Sequence, residues 1–446
     1  MRTKLVQLCE AFHVKDITTE EMKQAVDDWY DLYFSRNIPE DEDDCQRLAV
    51  VVVSKIKKAV FSEYEAESDN EFAEKVLEAL DAAKQKALQQ ALIGGQCWLK
   101  PLIFGDRLDF AVVTRDNVVI LGRDTRGVVT DIGTTESIER GDLFYTLMER
   151  RRNEDGKLII ESRLYASDTR EDLGKRVPLD TLEEYAGIDN ETEIAVDGLG
   201  LVPVTCPVEN CIDGSDDPVS VYAAAAGMIH SINVNEAQYS GEFERGESRI
   251  IVSNDLLRAD KYGRRRLTDN VFVGVDDDPE NIGIHTFAPP LRDASFLSRK
   301  TDYLRSIESL IGLKRGILSD VEAVEKTATE ITSSAGDYNL TIIDFQESFE
   351  TSIREAVQTC VELCKAYKKP FQEVDDDDVI INWGNGILYD RDKTWADYLT
   401  MVSAGLLKPE IAVAWYFDIP WKTDADLAKV RTDYMPVMQA LLQGQV

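Results

Sequence analysis

Histidine is almost missing: His13, His230 and His285 are the only three in 446 residues, and they show no metal-ligand spacing. Cysteine is sparse as well, seven in an odd count. The close pairs are Cys206/Cys211 and Cys360/Cys364, the latter at helical i,i+4 spacing, and both read as buried free thiols. A disulfide framework is therefore not expected, and the chain reads as one from a reducing compartment. Long apolar runs are missing too. The longest, Ile411 to Phe417, falls far short of the ~18 residues of a membrane span. The opening Met1-Arg2-Thr3-Lys4-Leu5-Val6 lacks the apolar stretch of a signal peptide. No Gly-x-x-x-x-Gly-Lys-Ser/Thr loop, His-Glu-x-x-His or Gly-x-Ser-x-Gly elbow occurs, so no catalytic residue, metal or cofactor is assigned.

Positive charge is in short supply. Fifty Lys and Arg face 83 Asp and Glu, a formal −33. That excludes non-specific nucleic-acid binding over the whole surface, which needs Lys and Arg to release counterions. It does not exclude a protein that lets DNA pass without gripping it. With 43% hydrophobic residues the chain is no acidic disordered tail.

What is present has a clear order. Met22, Ala25, Val26, Trp29, Tyr30 and Tyr33 follow a helical period, as do Cys45 to Val60 and then Phe72 to Ala91, which stops at Gly94-Gly95. From Trp98 to about Tyr165 the period shortens to that of strands. There Leu143–Arg152 and Lys157–Tyr165 flank an Asp155-Gly156 hairpin turn. Residues 166–218 are polar and loop-rich. A helix is expected over 217–248, opened by Asp216-Asp217-Pro218. An insertion follows, with strand-like Arg249–Ser253 and Asn270–Val275 around a basic turn. A second helix starts near Asp293, with the stripe Phe296, Tyr303, Leu304, Ile307, Leu310 and Ile311. An acidic loop then leads into a very long helix from Thr327 to Tyr367, about 60 Å at 1.5 Å per residue, with Gly336 as an expected bend. A strand at Val379–Trp383 and two or three closing helices complete the chain.

Few residues here carry chemistry. Asp276-Asp277-Asp278 and Asp375–Asp378 are either cation-binding oxygens or solvated acidic turns. Lys261, Arg264, Arg265 and Arg266 are either a solvated hairpin tip or a partner-docking patch. His230, within an apolar stripe, reads as packed or interfacial rather than as a general base.

The helix–insertion–helix followed by a long helix is similar to the portal proteins of tailed bacteriophages, in particular a siphophage branch. Glu325-Lys326-Thr327-Ala328-Thr329-Glu330-Ile331 resembles that branch's Lys-Thr-Ala-Thr-Glu-Val motif. Phe243 to Val252 looks like the family's passage from stem helix to clip. Ala82–Leu92 with Gly94-Gly95-Gln96-Cys97-Trp98-Leu99-Lys100-Pro101 looks like its wing, and Asp392–Lys408 with Ser403-Ala404-Gly405-Leu406-Leu407 like its closing helices.

The resemblance implies an α+β, portal-type protomer that assembles as a ring, usually of twelve, at one capsid vertex. Its parts would be a wing (1–216, with 368–389 returning to it), stem helices at 217–248 and 293–313, and a clip at 249–292. A tunnel loop at 314–326, a long helix at 327–367 and a crown at 390–446 would follow. The tunnel loop would face DNA with Asp320, Glu322, Glu325 and Lys326. Lys261, Arg264, Arg265 and Arg266 would dock partners, and Tyr303, Leu304, Ile307 and Leu310 would pack stem against stem. Implied partners are double-stranded DNA, the terminase large subunit, head-completion or connector proteins, and the major capsid and scaffolding proteins. The place would be the virion, after assembly in the host cytoplasm. Twelve copies would sum to about −400, a low-friction lining for DNA. A different head–tail connector is the nearest alternative class, and a metal-dependent hydrolase a more remote one.

Overall fold

The computed structural model describes residues 2–42, 45–104, 107–245, 249–252, 258–259, 265–266, 284–287, 292–319, 328–383, 391–417, 419, 421 and 423–435. It divides into two compact units, 1–384 and 385–446.

The first unit opens with helices α1 (Arg2–Phe12), α2 (Glu20–Phe34) and α3 (Leu48–Val60). Thr19 caps α2 by accepting the Met22 amide, and Glu20 and Glu21 in its first turn suit the helix dipole. Strand β1 (Glu65–Ser68) leads to α4 (Glu71–Gly94), where Asn70 accepts the Phe72 and Ala73 amides. The apolar stripes face inward as expected: Met22, Val26 and Trp29 meet Val52, Ile56, Val76 and Leu80 in one core. Helix α1 was not legible from periodicity. It lays Leu8 and Phe12 on Val119 and Met148 of the sheet that follows.

Strands β2 (Gln96–Phe104), β3 (Arg107–Thr114), β4 (Val118–Arg123), β5 (Val129–Arg140), β6 (Leu143–Glu154), β7 (Lys157–Ser167), β8 (Lys175–Val177), β9 (Glu191–Ile194) and β10 (Val202–Thr205) make two antiparallel sheets. The smaller runs β10-β2-β3. The larger runs β4-β5-β6-β7-β8, with β9 also on β7. The β6–β7 turn falls where the sequence placed it: Asp155 and Gly156 both have positive φ, 51° and 73°, as a two-residue type I′ turn requires. Lys100 of β2 in the smaller sheet and Arg151 of β6 in the larger are both buried around Glu149 of β6 (2.9 and 3.2 Å). Burial opposes the charge on Glu149, but Lys100 and Arg151 more than offset it and hold its pKa down at about 2.

Helix α5 is Ala226–Arg245, so it starts nine residues later than the helix expected over 217–248, whose last three residues lie outside the described ones. The acid-and-proline start at 216–218 does not cap it, because Asp217 is used elsewhere: Arg123 (2.6 Å) and Arg115 (3.6 Å) hold its carboxylate. The Val221 amide and Ser220 hydroxyl bond to the Leu92 carbonyl at the end of α4. Gly95, at φ +82°, lies so close to Pro218 that any side chain would overlap its carbonyl.

In the insertion β11 (Arg249–Val252) pairs with β14 (Ile284–Phe287), and β12 (Arg258–Ala259) with β13 (Arg265–Arg266). The expected strand at 270–275 lies outside the described residues. Helices α6 (Asp293–Ile311) and α7 (Ala328–Ala366) follow, and α7 runs unbroken through Gly336. Ile342, Phe345, Phe349, Ile353, Ala356 and Cys360 of α7 are buried in the helical core. Strand β15 (Val379–Asn382) returns to pair with β1.

The second unit holds α8 (Arg391–Ser403), α9 (Pro409–Tyr416) and α10 (Asp424–Tyr434). Aromatic contacts join Trp395 to Tyr416 and Tyr398 to Trp415, with ring centroids 4.6 and 4.9 Å apart. The seven cysteines are all unpaired, and Cys211 is exposed rather than buried, since its loop lies outside both sheets.

Candidate functional site

The residues that matter for a portal-type reading lie along α5, α6 and the loop after α6. The two helices pair antiparallel. Lys300 meets Glu236 (2.7 Å), the Asn235 side chain donates to the Phe296 carbonyl (3.3 Å), and Arg292 grips Glu242 (2.7 Å) at the end nearer the insertion. Tyr239 stacks against Phe296, centroid to centroid 5.3 Å.

Two polar clusters fix this pair to the rest of the unit. His230 on α5 bonds through Nδ1 to Glu42 and through Nε2 to Asp28 of α2, each at 2.9 Å. Those hydrogen bonds, Asp28 foremost, outweigh burial and raise its pKa to about 9, so the imidazole is a cation between two carboxylates. Asn233 completes the joint: its Nδ2 donates to Glu42 and its Oδ1 accepts the Gln46 amide, both at 3.0 Å.

The second cluster is a single carboxylate. Glu308, fully buried, accepts the amides of Gly316 (3.0 Å), Leu318 (2.6 Å) and Ser319 (2.9 Å), while the Ser319 hydroxyl donates to its other oxygen (2.9 Å). Gly312, left-handed at φ 73°, caps α6 and turns the chain back toward it. One carboxyl group thus satisfies three loop amides, the one of Ser319 buried and those of Gly316 and Leu318 half-buried.

Of the residues expected to pack stem against stem, Ile307 is fully buried against its own chain, and Tyr303 and Leu304 pack partly on the same core. Leu310 is 47% exposed and Leu297 50%. Ile307 therefore spends its surface inside the protomer, whereas Leu310 and Leu297 present theirs outward. Arg265 and Arg266 lie in β13 rather than at a turn. Lys261 and Arg264, and Asp320, Glu322, Glu325 and Lys326, expected in a tunnel loop, lie outside the described residues, as do Asp276-Asp277-Asp278. Asp375 and Asp378 cap each other's turn reciprocally. Among the described residues no cluster of His, Cys, Asp or Glu is placed to hold a metal ion, and no helix is long and apolar enough to cross a membrane.

Sequence reasoning passed over Glu308 and the Asp28–His230–Glu42 joint. Glu308 left a signal: it stands at an apolar position of the stripe, four residues after Leu304 and three before Ile311. The partners of His230 are about 190 and 200 residues away in the chain, and no spacing announces them.

The described residues thus make an α+β chain with a helix pair split by a small β-rich insertion, then a carboxylate-clamped loop and one long helix. The chain belongs to the family of phage portal proteins, SPP1 Gp6-like, whose family model matches residues 56–433. That family is structural rather than enzymatic, and it implies oligomeric assembly with capsid proteins and a place in the virion capsid. No curated protein matches the chain in sequence.

Proposed function

We propose that this chain forms the ring-shaped DNA conduit at one capsid vertex, serving genome packaging, head–tail connection and DNA ejection. The observation that carries this reading is the family match across residues 56–433, which spans the helix pair, its insertion, the loop and the long helix in order. In that assignment α5 and α6 are the stem, and the insertion between them is the clip that docks the terminase and later the connector proteins. The wing is the N-terminal part with the returning β15, and the crown is built from the closing helices. The segment that starts at the Glu308 clamp and runs to Lys326 is the tunnel loop, and twelve subunits close the ring.

The physical chemistry supports it. A conduit must not bind its cargo, and a chain at −33 repels phosphate while leaving single basic positions to modulate passage. Glu308 fixes the base of the loop by accepting from Gly316, Leu318 and Ser319. A heterologous interface between stems, each presenting Leu297 and Leu310, closes into a ring if the rotation per subunit divides the circle. Co-expression with capsid, scaffolding and terminase proteins of the same phage tests the reading. DNA-filled heads should form only when this chain is present, and filled heads in its absence would overturn it.

A further inference from the structure

The two sheets of the first unit leave a groove of about 960 Å³ between them, with strand edges on both sides. One wall is Asp109–Thr114 of β3, the outer strand of the three-stranded sheet. The other is Thr135–Ile138 of β5, which runs past the last β4 pairing at Thr134 and there has β6 on one side only.

Two prolines settle which backbone groups face the groove. Pro101 stands opposite Phe110 and Pro203 opposite Trp98, and neither can donate a ladder bond. Both therefore belong to non-hydrogen-bonded pairs, and the alternation then turns N–H and C=O of Leu108, Phe110, Val112 and Thr114 away from β2. The Phe110 amide confirms the parity by bonding outward to the Asp109 carboxylate (2.9 Å). An edge of this length, reading Phe110-Ala111-Val112-Val113, carries none of the proline, lysine or bulge protection with which proteins blunt such edges.

The charge around the groove is unusual for so acidic a chain. Arg36, Lys86 and Arg170 line it, and none forms an ion pair among the described residues. Lys4, only 8% exposed, has hydroxyl partners alone: Ser137 (3.1 Å) and Thr146 (3.0 Å). The groove's acids are Glu136, engaged by Lys100, Asp109, engaged by Arg107, and Glu171, whose charge acts on Lys4 without a hydrogen bond to it. A buried ammonium with no carboxylate in hydrogen-bond contact is costly unless something supplies one.

We propose that this groove receives an extended acidic stretch of a neighbouring copy of the chain, added as a strand to β3 and β5 with its carboxylates on Lys4, Lys86 and Arg170. The inference rests on the ring reading, because an oligomer places a second chain, itself carrying −33, beside every groove. It adds main-chain hydrogen bonding between wings to the apolar stem contact.

Hydrogen exchange and cross-linking on the assembled wild-type protein test it. The outward amides of Leu108, Val112 and Thr114 should exchange as slowly as those of β2, and a photo-cross-linking residue at position 111 should yield subunit–subunit adducts that map to an acidic stretch. Lys86→Glu with Arg170→Glu should lower the assembled fraction at least tenfold, and Lys86→Gln with Arg170→Gln less. Fast exchange at Leu108, Val112 and Thr114 within intact rings would overturn the groove as an interface while leaving the ring standing. Adducts to a capsid or scaffolding protein alone would overturn the choice of occupant. A wild-type protein that never assembles would overturn the ring reading and this inference with it.

Discussion

Glu308 holds Ser319 at both ends: one carboxylate oxygen takes its amide at 2.9 Å, and the other takes its hydroxyl at the same distance. A residue on α6 thereby sets where the following loop leaves the protein core.

Removing that acceptor should loosen the loop. Glu308→Ala removes the acceptor of three amides, the buried one of Ser319 and the half-buried ones of Gly316 and Leu318, and should cost on the order of 3 kcal/mol, read as a lower Tm and faster exchange at Gly316, Leu318 and Ser319. Glu308→Gln, which keeps an acceptor oxygen, should recover part of that loss.

Ile307 and Leu310 should separate protomer stability from assembly. Ile307→Ala opens a cavity in the protomer's own core and should cost roughly 2–5 kcal/mol. Leu310→Ala should leave the melting of the subunit almost unchanged and weaken the ring. Equal effects of the two on subunit melting would contradict the division of labour drawn from their burial.

The His230 joint makes a pH-dependent contribution of defined sign. Its folded pKa, about 9, lies above the ordinary 6.5, so the stabilisation is full below about 6.5 and drains away as pH rises through 9. Glu149 acts oppositely. Its pKa near 2 stabilises the fold above the ordinary 4.5 and loses that contribution as pH falls toward 2. His230→Gln should lower Tm at neutral and acid pH, flatten the alkaline decline, and leave the fall at low pH set by Glu149 in place.

Gly95 joins α4 to β2 at φ +82°, against Pro218. Gly95→Ala should cost roughly 1–3 kcal/mol from backbone strain alone, with the overlap on Pro218 adding to it. A wild-type Tm would show that the two segments separate readily.

Much of this fold was legible because its period is local. The stripes of α2, α3, α4 and α7, the Asp155-Gly156 turn and the start of α6 at Asp293 all follow from residues within a few positions of one another. What failed was non-local. Asp217 reads as a helix start until Arg115 and Arg123 are seen to hold it from another strand and loop. The short α1 carries too polar a pattern to announce that it covers a sheet. The division of Ile307 from Leu310 depends on which neighbour each meets, and a stripe alone makes them equivalent.

Charge at the loop offers a direct functional probe. Glu322→Lys with Glu325→Lys should slow or stall DNA translocation in a salt-dependent way while leaving assembly intact. In parallel, alanine at Lys261, Arg264, Arg265 and Arg266 should lower packaging without disturbing the ring. Normal packaging by either variant at both low and high salt would remove that segment from the account.

The central claim is that copies of this chain close around a channel, and negative-stain imaging of the purified protein measures that most directly. The account predicts rings with a central hole and a single rotational symmetry, twelvefold as the family resemblance implies. Particles of single-subunit size, without a hole at any concentration, would contradict it.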